Sequence, residues 1–134
     1  MAQESPKPRT FGCGDCFQGD AAVVWKRRPF KNLAALVDDS HFGIDVMICP
    51  ACDQHCVKVF MEFVDWANSD DAQCWVVVPL THAESVEIIA LGDKVRPEDI
   101  HRVSANRNYL LADFPSGGGS KIEWRPGPPG IVIP

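Results

Sequence analysis

The sequence predicts an α+β fold that is mostly β: a single small domain with a central antiparallel sheet and one or two short helices. Three observations lead there. The chain has 134 residues, 46% of them hydrophobic, and a chain of that length hides roughly two thirds of its unfolded surface, enough for one real core. Residues 57–66 (VKVFMEFVDW) and 74–80 (CWVVVPL) are rich in β-branched and aromatic side chains and flank a polar, turn-forming cluster at 67–72, the pattern of an antiparallel hairpin. A second pair, 108–114 and 121–125, flanks Pro-Ser-Gly-Gly-Gly-Ser, a flexible hairpin loop.

The elements follow in chain order. Residues 1–10 are expected to be a disordered lead, with a single domain over 11–134. Residues 22–26 (AVVWK) suggest a short strand. Residues 29–37 suggest a two-turn helix, with Pro29 in the first turn and Phe30, Leu33, Ala34 and Val37 at three-to-four spacing. Residues 43–48 (GIDVMI) suggest a strand running into Cys49. In 57–66, Val57, Val59, Met61 and Phe63 share one strand face while Phe60, Val64 and Trp66 share the other, so a strand covered on both sides is expected. A helix over 54–66 is the rival, because Val57, Phe60, Met61 and Val64 also fit helical spacing. Residues 85–91 suggest another strand. Pro97-Glu98-Asp99 opens a short helix to about Val103, its carboxylates placed where they complement exposed amides. The Pro-rich tail GPPGIVIP is expected to be extended, with Ile131 and Ile133 able to dock on one face.

Charge is unevenly distributed. The formal net charge is -5, but residues 1–31 carry +3, residues 32–101 carry -10 and residues 102–134 carry +2. An acidic surface repels nucleic acid and anionic lipid and attracts basic protein. No apolar run approaches the roughly 18 residues of a membrane helix, and the N-terminal residues lack the apolar core of a secretory signal. The expectation is a soluble, cytoplasmic protein. In a reducing compartment, thiols at short spacing point to metal or redox chemistry rather than disulfides.

The six cysteines supply the chemistry. Cys13-Gly-Asp-Cys16 and Cys49-Pro-Ala-Cys52 form two CxxC pairs 32 residues apart. Zinc takes four ligands in a tetrahedron, and each CxxC turn presents two thiolates to one ion. Over residues 11–60 the sequence resembles the zinc-ribbon group, on the strength of these four cysteines and Pro50. The resemblance implies two knuckles on successive β-hairpins clamping one structural Zn²⁺ ion. It departs from that pattern where ribbons usually carry Gly after the second cysteine of each knuckle, since Phe17 and Asp53 stand there. His55 and Cys56 lie close enough to Cys52 to substitute for one thiolate. Cys74, within an apolar strand, reads as a buried, inert thiol.

Rival chemistries are weaker. GIDVMI running into CPAC suits a thioredoxin-like dithiol, with Pro79 as a facing proline, but the segment between has no room for the helix and strand of such a fold, and a second CxxC goes unused. His82-Ala-Glu84 with CxxC has the deaminase elements in the wrong order. The three glycines lack a phosphate-binding context. Lys26, Arg27, Arg28 and Lys31, interleaved with Trp25 and Phe30, are the only foothold for nucleic acid, which the acidic balance makes an unlikely partner.

The reading reached is a non-catalytic, zinc-stabilised protein-binding module. Asp38, Asp39, Asp65, Asp70, Asp71 and Glu84, at or near turns, would face a basic protein partner, with Trp66 or Trp75 as an aromatic anchor wherever one is exposed rather than in the core. Small acidic proteins of this kind include inhibitors and toxin-immunity proteins. A thiol–disulfide redox protein and a zinc-ribbon nucleic-acid binder are the alternatives.

Overall fold

Six strands run antiparallel in chain order, β1-β2-β3-β4-β5-β6, as one continuous meander: β1 Lys31–Asp38, β2 Phe42–Ile48, β3 His55–Phe63, β4 Ala72–Leu80, β5 Asn108–Phe114 and β6 Lys121–Pro126. The structure is a computed structural model and describes residues 10–134. The expected lead therefore lies almost wholly outside the described residues. The mostly β fold, both hairpins and the strand into Cys49 stand as expected. Among the described residues the α-helices number three: α1 Ala21–Arg27, α2 His82–Leu91 and α3 Pro97–Ser104.

The two faces of the sheet bury different partners. On one face Ile44, Val46, Val57, Val59, Met61, Val76, Val78 and Leu111 pack against Ile88 of α2, Ile100 and Val103 of α3 and Ile131 of the tail. Truncating a fully buried side chain such as Ile100 costs about 2–5 kcal/mol. On the other face Cys56, Val77 and Leu110 are covered by Ala21 and Val24 of α1, joined by Phe17, Trp25, Met47 and Trp124. Both faces of β3 are thus covered, as the two apolar stripes predict. The strand stops at Phe63, which is exposed, and Trp66 lies in the turn beyond it.

Three expectations are corrected. Residues 22–26 are helix, not strand. Val23, Val24 and Trp25 favour a strand locally, but Asp20 accepts a hydrogen bond from the Val23 amide at 3.1 Å, Lys26 and Arg27 complement the last turn, and helical winding puts Ala21 and Val24 on the sheet. Of residues 29–37, Lys31 onward form edge strand β1 and none is helical. The register skips one residue between Asn32 and Ala34 and another between Ala35 and Val37. Each bulge inserts a residue into a period-two pattern, which counterfeits helical spacing. Residues 85–91 lie in α2. The Thr81 hydroxyl accepts from the Glu84 amide at 3.2 Å and the Glu84 carboxylate accepts from the Thr81 amide at 2.8 Å, a reciprocal capping box. Ser85 and Ile88 then face inward, and Val86 and Ile89 point to solvent.

The helix beginning at Pro97 forms as expected, with Pro97 in the first turn and the Asp99 carboxylate accepting from the Arg96 amide at 2.8 Å. In the tail only Ile131 docks; Ile133 is exposed.

The meander sorts its connections between two ends. The β2–β3 turn, the start of β1 and the long β4–β5 connection lie at one end. The β1–β2, β3–β4 and β5–β6 turns lie at the other.

Candidate metal centre

Residues 11–19 approach the β2–β3 turn, residues 49–54, and together they bring the two CxxC pairs into one place. In the first knuckle the Cys13 carbonyl accepts from the Cys16 amide at 3.1 Å and the Gln18 amide at 3.0 Å. The Cys13 amide donates to the Cys16 Sγ at 3.2 Å. In the second, the Asp53 amide donates to the Cys49 carbonyl at 2.8 Å and the Cys49 amide to the Gln54 carbonyl at 2.9 Å. The four Sγ atoms of Cys13, Cys16, Cys49 and Cys52 all lie within 4.8 Å of one another.

Their spacing fits a metal. Cys16 Sγ stands 3.8 Å from Cys13 Sγ and 3.7 Å from Cys52 Sγ, the second of these across the knuckles. A tetrahedron with metal–sulfur bonds of about 2.3 Å has edges of about 3.8 Å. Four sulfurs suit Zn²⁺ or iron. Cys16 and Cys49 are buried, Cys13 is half-buried and Cys52 is exposed.

A comparison with protein-family models, curated proteins and solved structures finds no match.

The four thiols do not share one environment. Burial pushes the Cys16 thiol far above its ordinary value and raises Cys52 as well. The Asp15 amide beside Cys13 lowers that thiol. An ion held by the four sulfurs would deprotonate them whatever their separate values.

Three residues outside the tetrad fit the backbone to it. Gly12 has φ +74°, and a Cβ there would come within 2.5 Å of Cys16 Sγ. Gln54 joins the two knuckles: its Oε1 accepts from the Gly12 amide at 2.9 Å while its Nε2 donates to the carbonyls of His55 at 2.8 Å and Leu80 at 2.6 Å. Asp53 has φ +60°. It adopts the left-handed conformation for which glycine is favoured after a knuckle's second cysteine, so this departure from the ribbon pattern is one of residue type and not of backbone. A larger departure is topological. Only the second knuckle is a β-hairpin turn; the first precedes α1, and the Trp124 indole of β6 anchors it by donating to the Gly19 carbonyl at 2.9 Å.

The suggested substitute ligands stand apart from the tetrad. Cys56 is fully buried in the core beneath α1, where burial raises its thiol well above the ordinary value. The His55 ring lies 5.1 Å from that of His82. Cys74 is half-buried against the main core, and burial pushes it up to about 11, in keeping with an inert thiol.

The acidic candidates separate. Asp38, Asp39, Asp65, Asp70 and Asp71 lie at the end of the sheet opposite the knuckles. Several of them build turns: Asp65 accepts from the Ala67 and Asn68 amides at 3.1 Å, Asp71 from the Asp65 amide at 2.8 Å, and Asp39 from the His41 amide at 3.0 Å. Asp70 joins two turns, accepting from the Gly117 amide at 2.5 Å. Trp66 projects among them with 90% of its surface exposed, whereas Trp75 packs on Trp25, Phe60 and Phe114.

Glu84 is at the knuckle end and pairs with Arg107 at 2.6 Å, so it does not belong to the acidic face. Arg107 is 6% exposed, also donates to the Pro79 carbonyl at 3.1 Å, and lies 4.7 Å from the centre of the Phe11 ring. The sequence carries no local signal for this role, because Glu84 and Pro79 are 23 and 28 residues away. Among the described residues no helix is long and apolar enough to cross a membrane.

Proposed function

We propose that this chain is a non-catalytic protein-binding module, stabilised by structural zinc, whose acidic sheet end engages a basic protein partner. The observation that carries the first half is the tetrad: four thiol sulfurs in mutual reach fill every position of a tetrahedral ion, the closed arrangement of a structural rather than a catalytic zinc site. Cys13, Cys16, Cys49 and Cys52 would hold the ion, whose binding would tie the segment before α1 to the β2–β3 turn.

The partner surface draws its support from the far end. Trp66, exposed beside Asp65, Asp70 and Asp71, has the make-up of an aromatic anchor within a charged rim. Hydrogen bonds hold these turns in place before any partner arrives, which lowers the ordering cost of association. Inhibitors and immunity proteins that neutralise a basic enzyme belong to this class, and the link to them is one of charge and size.

Two measurements test the proposal. Metal analysis of the purified protein should find one zinc per chain with thiols that label slowly; a metal-free protein whose CPAC pair cycles between dithiol and disulfide would replace it with the redox reading. Lys/Arg-rich peptides should bind at low salt and be released at high salt, with Trp66→Ala weakening them. Peptide binding indifferent to salt and to Trp66 would remove the acidic surface from the proposal.

A further inference from the structure

The sheet face beneath α1 holds a cavity that neither the metal centre nor the acidic turns use. It has a volume of about 260 Å³ and is lined by Trp25, Phe30, Met47 and Trp75, with Arg28 and Lys58 among the lining residues. Its walls come from α1, the segment after it, and the inner strands β2, β3 and β4, so most of the lining is fixed by the core.

The aromatic walls are already mutually braced. Trp25 and Trp75 have ring centres 5.3 Å apart, and Trp75 also packs on Phe60 at 4.9 Å and on Phe114 at 5.6 Å. Arg28 lies 5.3 Å from the centre of the Trp25 ring. Lys58 is the more unusual wall. It sits half-buried on β3, next to the buried Cys56 and across from Val77 and Asp45 in the register. Among the described residues neither Arg28 nor Lys58 makes an ion pair with a carboxylate. Asp45, opposite Lys58 in the β2–β3 register, is not among the lining residues, so the cavity itself presents two cations and no carboxylate.

We infer that this cavity binds a small planar aromatic anion, its ring lying among Trp25, Phe30 and Trp75 and its carboxylate or phosphate meeting Lys58 and Arg28. Apolar walls with a few convergent polar groups are the ordinary make-up of a small-molecule site. The two cations at one pocket in a chain of net charge -5 set the sign of the ligand. A single-stranded nucleic acid fits less well. Successive bases need successive aromatic platforms along a basic groove, whereas here the rings line a single concavity.

The test uses the intact, metal-loaded protein and three probes: naphthoate, its neutral counterpart naphthalenemethanol, and oligothymidylate. Followed by NMR, naphthoate should shift the indole N–H signals of Trp25 and Trp75 and leave that of Trp66 in place. Naphthalenemethanol should bind about tenfold more weakly, the worth of a charge-assisted contact. Lys58→Met, which keeps the apolar stem, and Arg28→Gln should each narrow the preference for naphthoate over naphthalenemethanol with the protein's spectrum otherwise retained, and the two together should bring the ligands to equal affinity. Equal binding of both ring compounds to the unaltered protein, or shifts that avoid Trp25 and Trp75, would overturn the inference. Oligothymidylate bound more tightly than naphthoate, with affinity rising with length, would overturn it in favour of a strand-binding face.

Discussion

The two ends of the meander hold their turns by different means. At the knuckle end, the first knuckle and the β2–β3 turn approach through four sulfurs, Gln54 and a glycine pressed against Cys16 Sγ, with the sulfurs at the spacing of a tetrahedral metal site. At the acidic end, the β1–β2 and β3–β4 turns are closed by their own carboxylates accepting backbone amides and the β5–β6 turn is tied to Asp70, and no ion is needed. The lesson is that acidic residues clustered in sequence need not mean a surface reserved for a partner. Asp65 and Asp71 first serve as turn formers, and Glu84 serves as the counter-ion of a buried arginine; what remains for recognition is the outward charge and Trp66.

The strongest way to break this comparison is to deprive the tetrad of the proposed ion. Chelation, or Cys16→Ser, should abolish zinc binding and cost about 10 kcal/mol of apparent stabilisation at the knuckle end. Hydrogen exchange should show amides of residues 11–19 and 49–54 losing protection before those of β3 and β4. Equal loss at both ends would mean that the ion supports the whole sheet.

Next in size is Glu84→Gln. Breaking a fully buried ion pair costs about 3–5 kcal/mol; the Glu84 side chain is 20% exposed, so about 2–3 kcal/mol is expected in denaturant unfolding. The same pair has a pH signature. Burial alone would raise the Glu84 carboxyl, but Arg107 and the Thr81 hydrogen bonds outweigh it and hold the group below its ordinary 4.5. A depressed carboxylate contributes its stability above the unfolded-state value and loses it as the pH falls through the folded-state value. Acid titration should therefore show a loss of stability below about pH 4.5 that is absent in Glu84→Gln.

Gly12→Ala should cost about 1–3 kcal/mol through its positive φ alone. It should also weaken metal binding, because the new methyl group meets Cys16 Sγ; unchanged zinc affinity would show that the first knuckle can shift freely. At the acidic end, Asp65→Ala should cost about 1 kcal/mol or less, the worth of an exposed turn hydrogen bond. Trp66→Ala should leave stability within about 0.5 kcal/mol while reducing binding of the basic peptides. A stability loss larger than that would place Trp66 in the structure rather than on the partner surface.

How much could be read beforehand differed from element to element. The 57–80 hairpin was legible because both strands carry apolar residues on both faces and are separated by unmistakable turn residues. The Pro97 helix was legible from its own first turn. Strand β1 was not, because two bulges shift its apolar residues into helical spacing. Helix α2 was misread although Thr81 and Glu84, its capping box, stand in plain sight: Val86, Ile88 and Ile89 pulled the reading toward a strand. At the metal centre the four cysteines were visible by spacing, but Gln54 and Arg107 act through partners as far as 42 and 28 residues away, beyond any local pattern.

By itself, then, the sequence determined the mostly antiparallel architecture, the 2+2 cysteine pattern and the acidic middle, because strand periodicity, CxxC turns and charge are properties of neighbouring residues. Only the tertiary structure decided which sulfurs meet, that Cys56 faces the core and not the tetrad, that Glu84 leaves the acidic face for Arg107, and that Trp66 is out while Trp75 is in. Those are consequences of strand register and of which helix covers which face. A shift of one residue in register would turn every side chain of a strand to the opposite side, and register is fixed by the packing of the whole sheet.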